Sequence, residues 1–281
     1  MLQPVTTSDL PLAIQLLTEG FPERSTAFWE TSLSRVRCHG GNAMANVPWG
    51  QFLLERGQPV GIALTPASVR QRDGQSQLLI NLSSWYVRPS HRWRALLMLR
   101  RLVSNKKATY TDLTPTPTVQ RLLPLVGLKA VNRGLLIDFL ALHAWRGAPG
   151  AELEPLHAGA DVSGFAPPAE LIESHRALGC QPLLLHDAQG SQLLVLQRTS
   201  VRGLPAARVV YADSNQRWRR QLGLLSRHLL GQGIWCLVSD SRADRRPPGA
   251  LFRPRDIWFS RGDDFEDRTD LLGSELCLLP L

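Results

Sequence analysis

The residues best suited to chemistry lie close together in residues 81–103, NLSSWYVRPSHRWRALLMLRRLV. Ser84 and Tyr86 carry hydroxyls, groups with usable chemistry that more often serve as structural hydrogen-bonders. Arg92 and Arg94 stand just beyond, where a turn would feed a helix. Such a turn offers free backbone N–H groups and the positive end of a dipole, and arginine beside it makes a seat for phosphate. An ordinary strand–turn–helix join with solvated arginines has the same pattern, so both readings stay open. Farther on, Tyr110 and Asp112 add a phenol and a carboxyl within residues 108–113.

The elements that would position these groups follow from spacing. Residues 81–87 are aromatic, β-branched and small polar, as in a strand. Pro89 and Ser90 end it. From Arg92 onward Trp93, Leu96, Leu97, Leu99 and Val103 recur at near-helical spacing, with Arg94, Arg100 and Arg101 between them. Upstream, residues 1–7 read as a short strand. Ser8 or Asp9 caps a helix to Leu17 with Pro11 in its first turn. A second helix spans 24–36, and 51–55 and 60–65 form a hairpin about Arg56-Gly57. RQRDGQSQ reads as a polar loop. Residues 108–113 are a strand, 115–126 a helix closed by Gly127, and 131–142 a strand.

Residues 146–168 are rich in Gly, Ala and Pro and read as a linker or an irregular crossing. The second half then gives a helix at 168–178, a hairpin from 182–186 and 192–198, and a strand at 207–212. A helix over 215–230 capped by Asp213 or Ser214 follows, then strands at 235–239, 257–260 and 275–279. Helix, hairpin, strand, helix, strand thus occurs twice, by pattern and not by identity, and coincidence among common elements gives the same order.

Composition bounds the class. With 281 residues, 43% hydrophobic and 20% charged, the chain is globular, as one large or two ordinary domains. Arg, Pro or Gly cut every apolar run below membrane-spanning length, and residues 1–17 lack a signal peptide's basic start and apolar core. Cys38, Cys180, Cys236 and Cys277 form no CxxC pair and no ligand cluster with the seven histidines. This spacing points to a reducing cytoplasm and to no metal site. The net charge of +8, carried mostly by arginine, favours anionic partners: nucleic acid, a phosphorylated cofactor or an acidic substrate. A high-GC genome gives the same arginine bias, and no basic tail is present, so nucleic acid is the weakest of the three. HDAQG (186–190) reads as a turn before a catalytic dyad. SDSRADRRPPG (239–249) reads as a solvated loop before a ligand loop. The acidic RGDDFEDRTD (261–270) fits no calcium loop.

The first 142 residues resemble the GNAT (GCN5-related N-acetyltransferase) acyltransferases. QFLLERGQPVGIAL is similar to that family's hairpin. WYVRPSHRWRALL is similar to its strand and phosphate turn, with Val87, Pro89 and Arg92 at matching positions. TDLTPTPTVQRLLPLVGLKAV is similar to the next strand and helix, with Gly127-Leu128 where the family has Gly-Phe. The resemblance implies an α/β fold of two GNAT-like units, each a mixed, mostly antiparallel sheet flanked by helices: residues 1–145, a linker at 146–168, and a diverged copy at 169–281. It implies acetyl-CoA or another acyl-CoA as co-substrate. The binding residues would be Trp85, Tyr86, Val87, Arg92, Trp93, Arg94, Ala95, Leu96, Leu97 and Thr114, with the pyrophosphate on the N–H groups of 93–97. The second unit would shape the acceptor groove.

Departures from the pattern matter. Ala95 and Leu97 replace motif glycines, with Arg92 and Arg94 as compensating charge, and Leu123 stands where the family often has a tyrosine acid. The remaining catalytic candidates are Ser84, Tyr86, Tyr110 and Asp112, each of a type that more often makes a structural hydrogen bond; with no strong base visible, water or the substrate itself would deprotonate the acceptor. Three functions follow: an acyltransferase acting on a small-molecule or polymer acceptor by direct attack on the thioester; an inactive acyl-CoA-binding or structural module; and, least, a nucleic-acid binder. A homodimer is compatible with each.

Overall fold

The computed structural model describes residues 1–39, 45–132, 134–147, 150–241, 247–254 and 257–279. They form two compact units. Unit 1 is Met1–Ala130 with Trp258–Asp264 and Gly273–Leu281, and unit 2 is Val131–Ile257 with Phe265–Leu272.

Unit 1 opens with β1 (Leu2–Pro4), α1 (Leu10–Gly20) and α2 (Thr26–Cys38). Asp9 precedes α1 and accepts the Thr6 N–H at 2.9 Å, and Pro11 sits in the first turn. Ser25 caps α2 by accepting the Phe28 N–H at 3.2 Å. Both helices place Ala13, Leu16, Leu17, Trp29 and Leu33 against Phe52, Ile62 and Leu64 of β2 (Gly50–Glu55) and β3 (Gln58–Leu64). The β2–β3 turn has Arg56 and Gly57 both at positive φ, as a two-residue hairpin turn requires.

The polar loop expected at RQRDGQSQ is instead a second hairpin, β4 (Ala67–Arg72) with β5 (Gln75–Asn81). Asp73 and Gly74, both left-handed, are its turn, so the D-G pair was the signal and the polar strand faces concealed it. After Leu82 come β6 (Ser83–Val87), a 3₁₀ helix over Pro89–Arg94 and α3 (Ala95–Leu102). β7 (Thr109–Asp112), α4 (Pro117–Leu122), a 3₁₀ turn over Leu123–Val126 and β8 (Lys129–Ala130) follow. Gly127, at φ 85°, closes that turn as the sequence predicts.

Unit 2 contains β9 (Gly134–Phe139), β10 (Glu152–Pro155), α5 (Ala169–Ala177), β11 (Gln181–Asp187), β12 (Gly190–Val201) and β13 (Leu204–Ala212). The predicted 215–230 helix is broken at Gln221 into α6 (Asn215–Arg220) and α7 (Leu222–Leu230), and β14 (Cys236–Ser241) and β15 (Ala250–Arg253) follow. Trp218, Leu222, Leu225 and Leu229 pack on Leu183, Leu194, Leu196, Val209 and Leu237.

In unit 1 the order is β1-β2-β3-β6 in one sheet and β4-β5-β7-β16-β8 in the other, where β16 is Phe259–Arg261. β3 leads into β4, and β5 into β6, so the two sheets are one frame with a break. Unit 2 runs β10-β11-β12-β13-β14-β9-β15 in the same pattern. In both units one parallel pair sits mid-sheet, β5 with β7 and β13 with β14.

The strand next to it is antiparallel and comes from a distant stretch of chain: β16 in unit 1, β9 in unit 2. Hence the units divide the chain differently from 1–145, 146–168 and 169–281. β9 belongs to unit 2, and β16 and residues 273–281 belong to unit 1. The expected linker contains β10, whose main-chain pairing with β11 needs no hydrophobic periodicity. Residues 275–279, read as a strand, form the short helix α8 (Glu275–Leu278) after Ser274.

Arg261 on β16 fastens unit 1. Its guanidinium lies 4.8 Å from the Tyr110 ring centroid and donates to the carbonyls of Val126 (3.1 Å) and Val103. Arg261→Ala leaves carbonyls without a donor and should lower the stability of unit 1 by about 1–3 kcal/mol in urea unfolding. Among the described residues no helix is long and apolar enough to cross a membrane.

Candidate functional site

In unit 1 the break in the frame creates a wedge. β5 pairs with β7 through Leu79–Thr109, Ile80–Tyr110 and Asn81–Thr111. The last bond runs from the Leu82 N–H to the Thr111 carbonyl at 2.7 Å. Beyond it β6 turns away and pairs with β3 alone, as Gly61–Val87, Ile62–Tyr86 and Leu64–Ser83. Ser84 holds a φ of 46°, rare for a residue with a side chain, and this conformer bends the strand. β6 is therefore an edge strand among the described residues, with its outer N–H and C=O groups open. Gly61 is needed for the pairing, since a Cβ there would lie 2.7 Å from the Tyr86 carbonyl oxygen.

Beside the wedge is a cavity of about 480 Å³. Its aromatic wall is Phe21, Phe28, Trp29 and Trp85, and its polar groups include Ser84, Asp112, Thr114 and Glu275. Phe28 meets Trp29 edge-on at 5.0 Å between centroids, and the Trp85 indole N–H lies 3.2 Å from the Met98 sulfur.

Asp112 and Glu275 are the polar end of this cavity, and both are almost fully buried. Glu275 accepts the Thr114 hydroxyl at 3.0 Å through Oε1, and its own backbone N–H donates to Asn81 Oδ1 at 3.3 Å. Glu275 Oε2 is buried without a hydrogen-bond partner. Burial pushes the Glu275 carboxyl up to about 7, against the pull of the Thr114 and Asn81 hydrogen bonds. Burial and then the Glu275 charge raise Asp112 well above the usual carboxylate range. Two carboxyls buried at one end of one cavity are costly to ionise together. Such a pair can accept a proton and return one.

The sequence candidates separate. Ser84 and Asp112 line the cavity, as do Trp85 and Thr114. Tyr86 packs on the helical core, its ring where a Cβ on Gly20 would lie. Tyr110 is buried and accepts the Asn105 N–H at 3.3 Å under Arg261, a structural use of its hydroxyl. Val87 is buried, whereas Arg92, Trp93 and Leu97 are exposed and Ala95 and Leu96 are half-buried.

Arg94 is ion-paired with Glu55 and donates to the Leu54 carbonyl at 3.4 Å. The Ala95 N–H is bonded to the Arg92 carbonyl and the His91 N–H to the Arg88 carbonyl. The turn thus closes on itself as a 3₁₀ helix, because alanine and leucine at the glycine positions favour helical backbone. Leu123, at the tyrosine position, is core. Glu275 was missed. Its signal is a lone carboxylate in the apolar run LLGSELCLLPL.

Elsewhere, His186 bonds Ser191 (2.8 Å) and Glu154 (3.2 Å), and Asp187 pairs with Arg217 (2.7 Å), so HDAQG is a pinned turn and not a dyad. The central residues of SDSRADRRPPG, 242–246, lie outside the described residues. Among the described residues no cluster of three or more metal-ligating side chains occurs.

No family model and no curated protein matches the sequence. Solved structures do match. A GCN5-related N-acetyltransferase from Anabaena variabilis is similar over 93% of this chain and 72% of its own, at 11% identity and a TM-score of 0.62. A conserved Enterococcus faecalis protein described as a probable N-acyltransferase matches over the same shares, at 9% identity and 0.60. A GCN5-related N-acetyltransferase from Kribbella flavida covers 93% and 70%, at 13% identity and 0.55. The chain therefore has the fold of the GCN5-related N-acetyltransferases.

Proposed function

We propose that unit 1 is an acyl-CoA-dependent acyltransferase site, acetyl-CoA being the natural first donor. The observation that carries this reading is an open-edged strand, β6, beside a cavity that ends in the buried Asp112–Glu275 pair. The edge groups of 84–87 suit an amide-bearing arm such as pantetheine, which binds by strand-like hydrogen bonds. When bound, the acyl-CoA supplies a thioester, an activated acyl group. The chain's residues do the rest. Phe21, Phe28, Trp29 and Trp85 exclude water and orient the acceptor. Glu275, poised near neutrality, takes the proton from an acceptor amine or hydroxyl as that atom attacks the thioester carbonyl and CoA leaves as its thiolate, and Asp112 adds a second carboxyl that burial shifts toward its protonated form. Ser84 is within the same cavity as a donor to developing charge.

The pyrophosphate end is less well provided. With Arg94 on Glu55 and the turn closed, Arg92 is the exposed charge left there. That specific observation favours the second reading, a module that holds an acyl-CoA or a related ligand without turning it over. Four unbridged cysteines suit a reducing compartment such as the cytoplasm.

A thiol-release assay tests the proposal. Acetyl-CoA and longer acyl-CoAs are incubated with a panel of amines and hydroxyl compounds. Acceptor-dependent free CoA is the expected result. Saturable binding with no release from any acceptor would leave only the binding module.

A further inference from the structure

The position of unit 2 that corresponds to the open wedge is filled by the chain itself. Among the described residues β13 pairs with β14 over Ala206–Arg208. Its other edge is held by β12 through Ala212. The remaining edge beyond Arg208, the counterpart of the open edge of β6, is taken by β17 (Thr269–Asp270), paired as Tyr211–Asp270 and Ala212–Thr269. The Leu271 N–H extends the ladder to the Val210 carbonyl at 2.8 Å.

The same segment reaches the start of α6, which is where the phosphate turn would be. Asp267 accepts the Asn215 N–H on its carbonyl (2.6 Å). Its carboxylate accepts the Gln216 N–H (2.8 Å) and the Ser214 hydroxyl (2.6 Å). Phe265, Leu271 and Leu272 are buried and anchor the segment. Phe265 and Asp267 hold left-handed backbone, a cost tolerated only where surrounding contacts fix it. The cavity that remains, about 380 Å³, is lined by Glu266, Asp267 and Asp240 with Arg219.

We infer that Phe265–Leu272 is a built-in occupant of the cofactor slot of unit 2. Its main chain stands where a pantetheine arm would pair, and the Asp267 carboxylate stands where a phosphate would lie. Unit 2 is thereby closed to acyl-CoA. The acidic run RGDDFEDRTD acquires a use that its spacing concealed: an internal anion and strand, not a cation loop. This inference rests on the acyl-CoA reading of unit 1 for what the slot would otherwise hold.

Hydrogen exchange on the full chain, with and without acetyl-CoA, tests it. Without ligand, the amides of Asn215, Gln216 and Leu271 should exchange as slowly as those of the paired strands of unit 2. Asp267→Ala should speed Gln216 about tenfold or more, the loss of a bond to a charged acceptor. Acetyl-CoA should slow exchange in 83–87 and leave 204–216 unchanged. Loop-like rates at Asn215 and Leu271 in the wild-type chain would overturn the inference, as would slowing of 204–216 by acetyl-CoA. If acetyl-CoA changes nothing anywhere, the reading of unit 1 fails, while the ligand-free rates still decide whether the segment is seated.

Discussion

Glu275→Gln should lower acyl transfer by about 100-fold or more, with little change in acetyl-CoA affinity. The amide fills the same volume and keeps an oxygen for the Thr114 hydroxyl, so the cavity persists. What disappears is a group able to take a proton near neutral pH. In the wild type the rate should rise as pH passes through about 7, because the carboxylate is the working form. In the variant that limb should flatten. Steady-state rates across pH check both expectations, and an unchanged profile with an unchanged rate would remove Glu275 from the chemistry.

The same group makes a stability statement. Its folded-state carboxyl titrates at about 7, against an ordinary value of 4.5. Between these values the folded protein keeps a proton that the unfolded chain has released. The folded state is therefore favoured by low pH, and stability is lost as pH rises from 4.5 to 7. The loss is roughly 3 kcal/mol. Asp112, raised in the same direction, adds to it. Urea unfolding at about pH 5 and about pH 8 should show the wild type weaker at the higher pH, with a smaller difference in Glu275→Gln.

Trp29→Ala should destabilise unit 1 by about 3–5 kcal/mol, the usual cost of emptying a buried aromatic site. Trp29 is only 2% exposed, meets Phe21 and Phe28 in aromatic contact, and belongs to both the helical core and the cavity wall. Its loss merges a packing defect with the cavity, so water reaches the Asp112–Glu275 pair. The raised carboxyls should then fall toward ordinary values. Denaturant melts read the first effect. A shift of the pH–rate limb to lower pH, in whatever fraction stays folded, reads the second.

Much of the fold was legible. Apolar periodicity placed α1, α2, α3 and most strands, and the order of elements in the first half carried the resemblance. Four features were not. The D-G hairpin β4–β5 has polar faces that mimic a loop. β10 is held by main-chain pairing, which has no side-chain signature. The strand exchange that gives β16 to unit 1 and β9 to unit 2 depends on partners about 100 residues away or more, as with Phe259 opposite Asp112.

The fourth is the site itself. Ser84, Trp85, Asp112 and Thr114 were named from sequence and line the cavity, but Glu275 enters from the far end of the chain. No local pattern couples it to Asp112; only burial does. Tyr86 and Tyr110 show the converse, since a hydroxyl in the right stretch of sequence is bound into packing when its side chain faces the core.

The most direct test of the central claim is isothermal titration of the full chain with acetyl-CoA. Saturable binding of one molecule per chain is the predicted result, weakened by a bulky side chain at Ser84 in the wedge. No saturable binding of acetyl-CoA or of any longer acyl-CoA would contradict it.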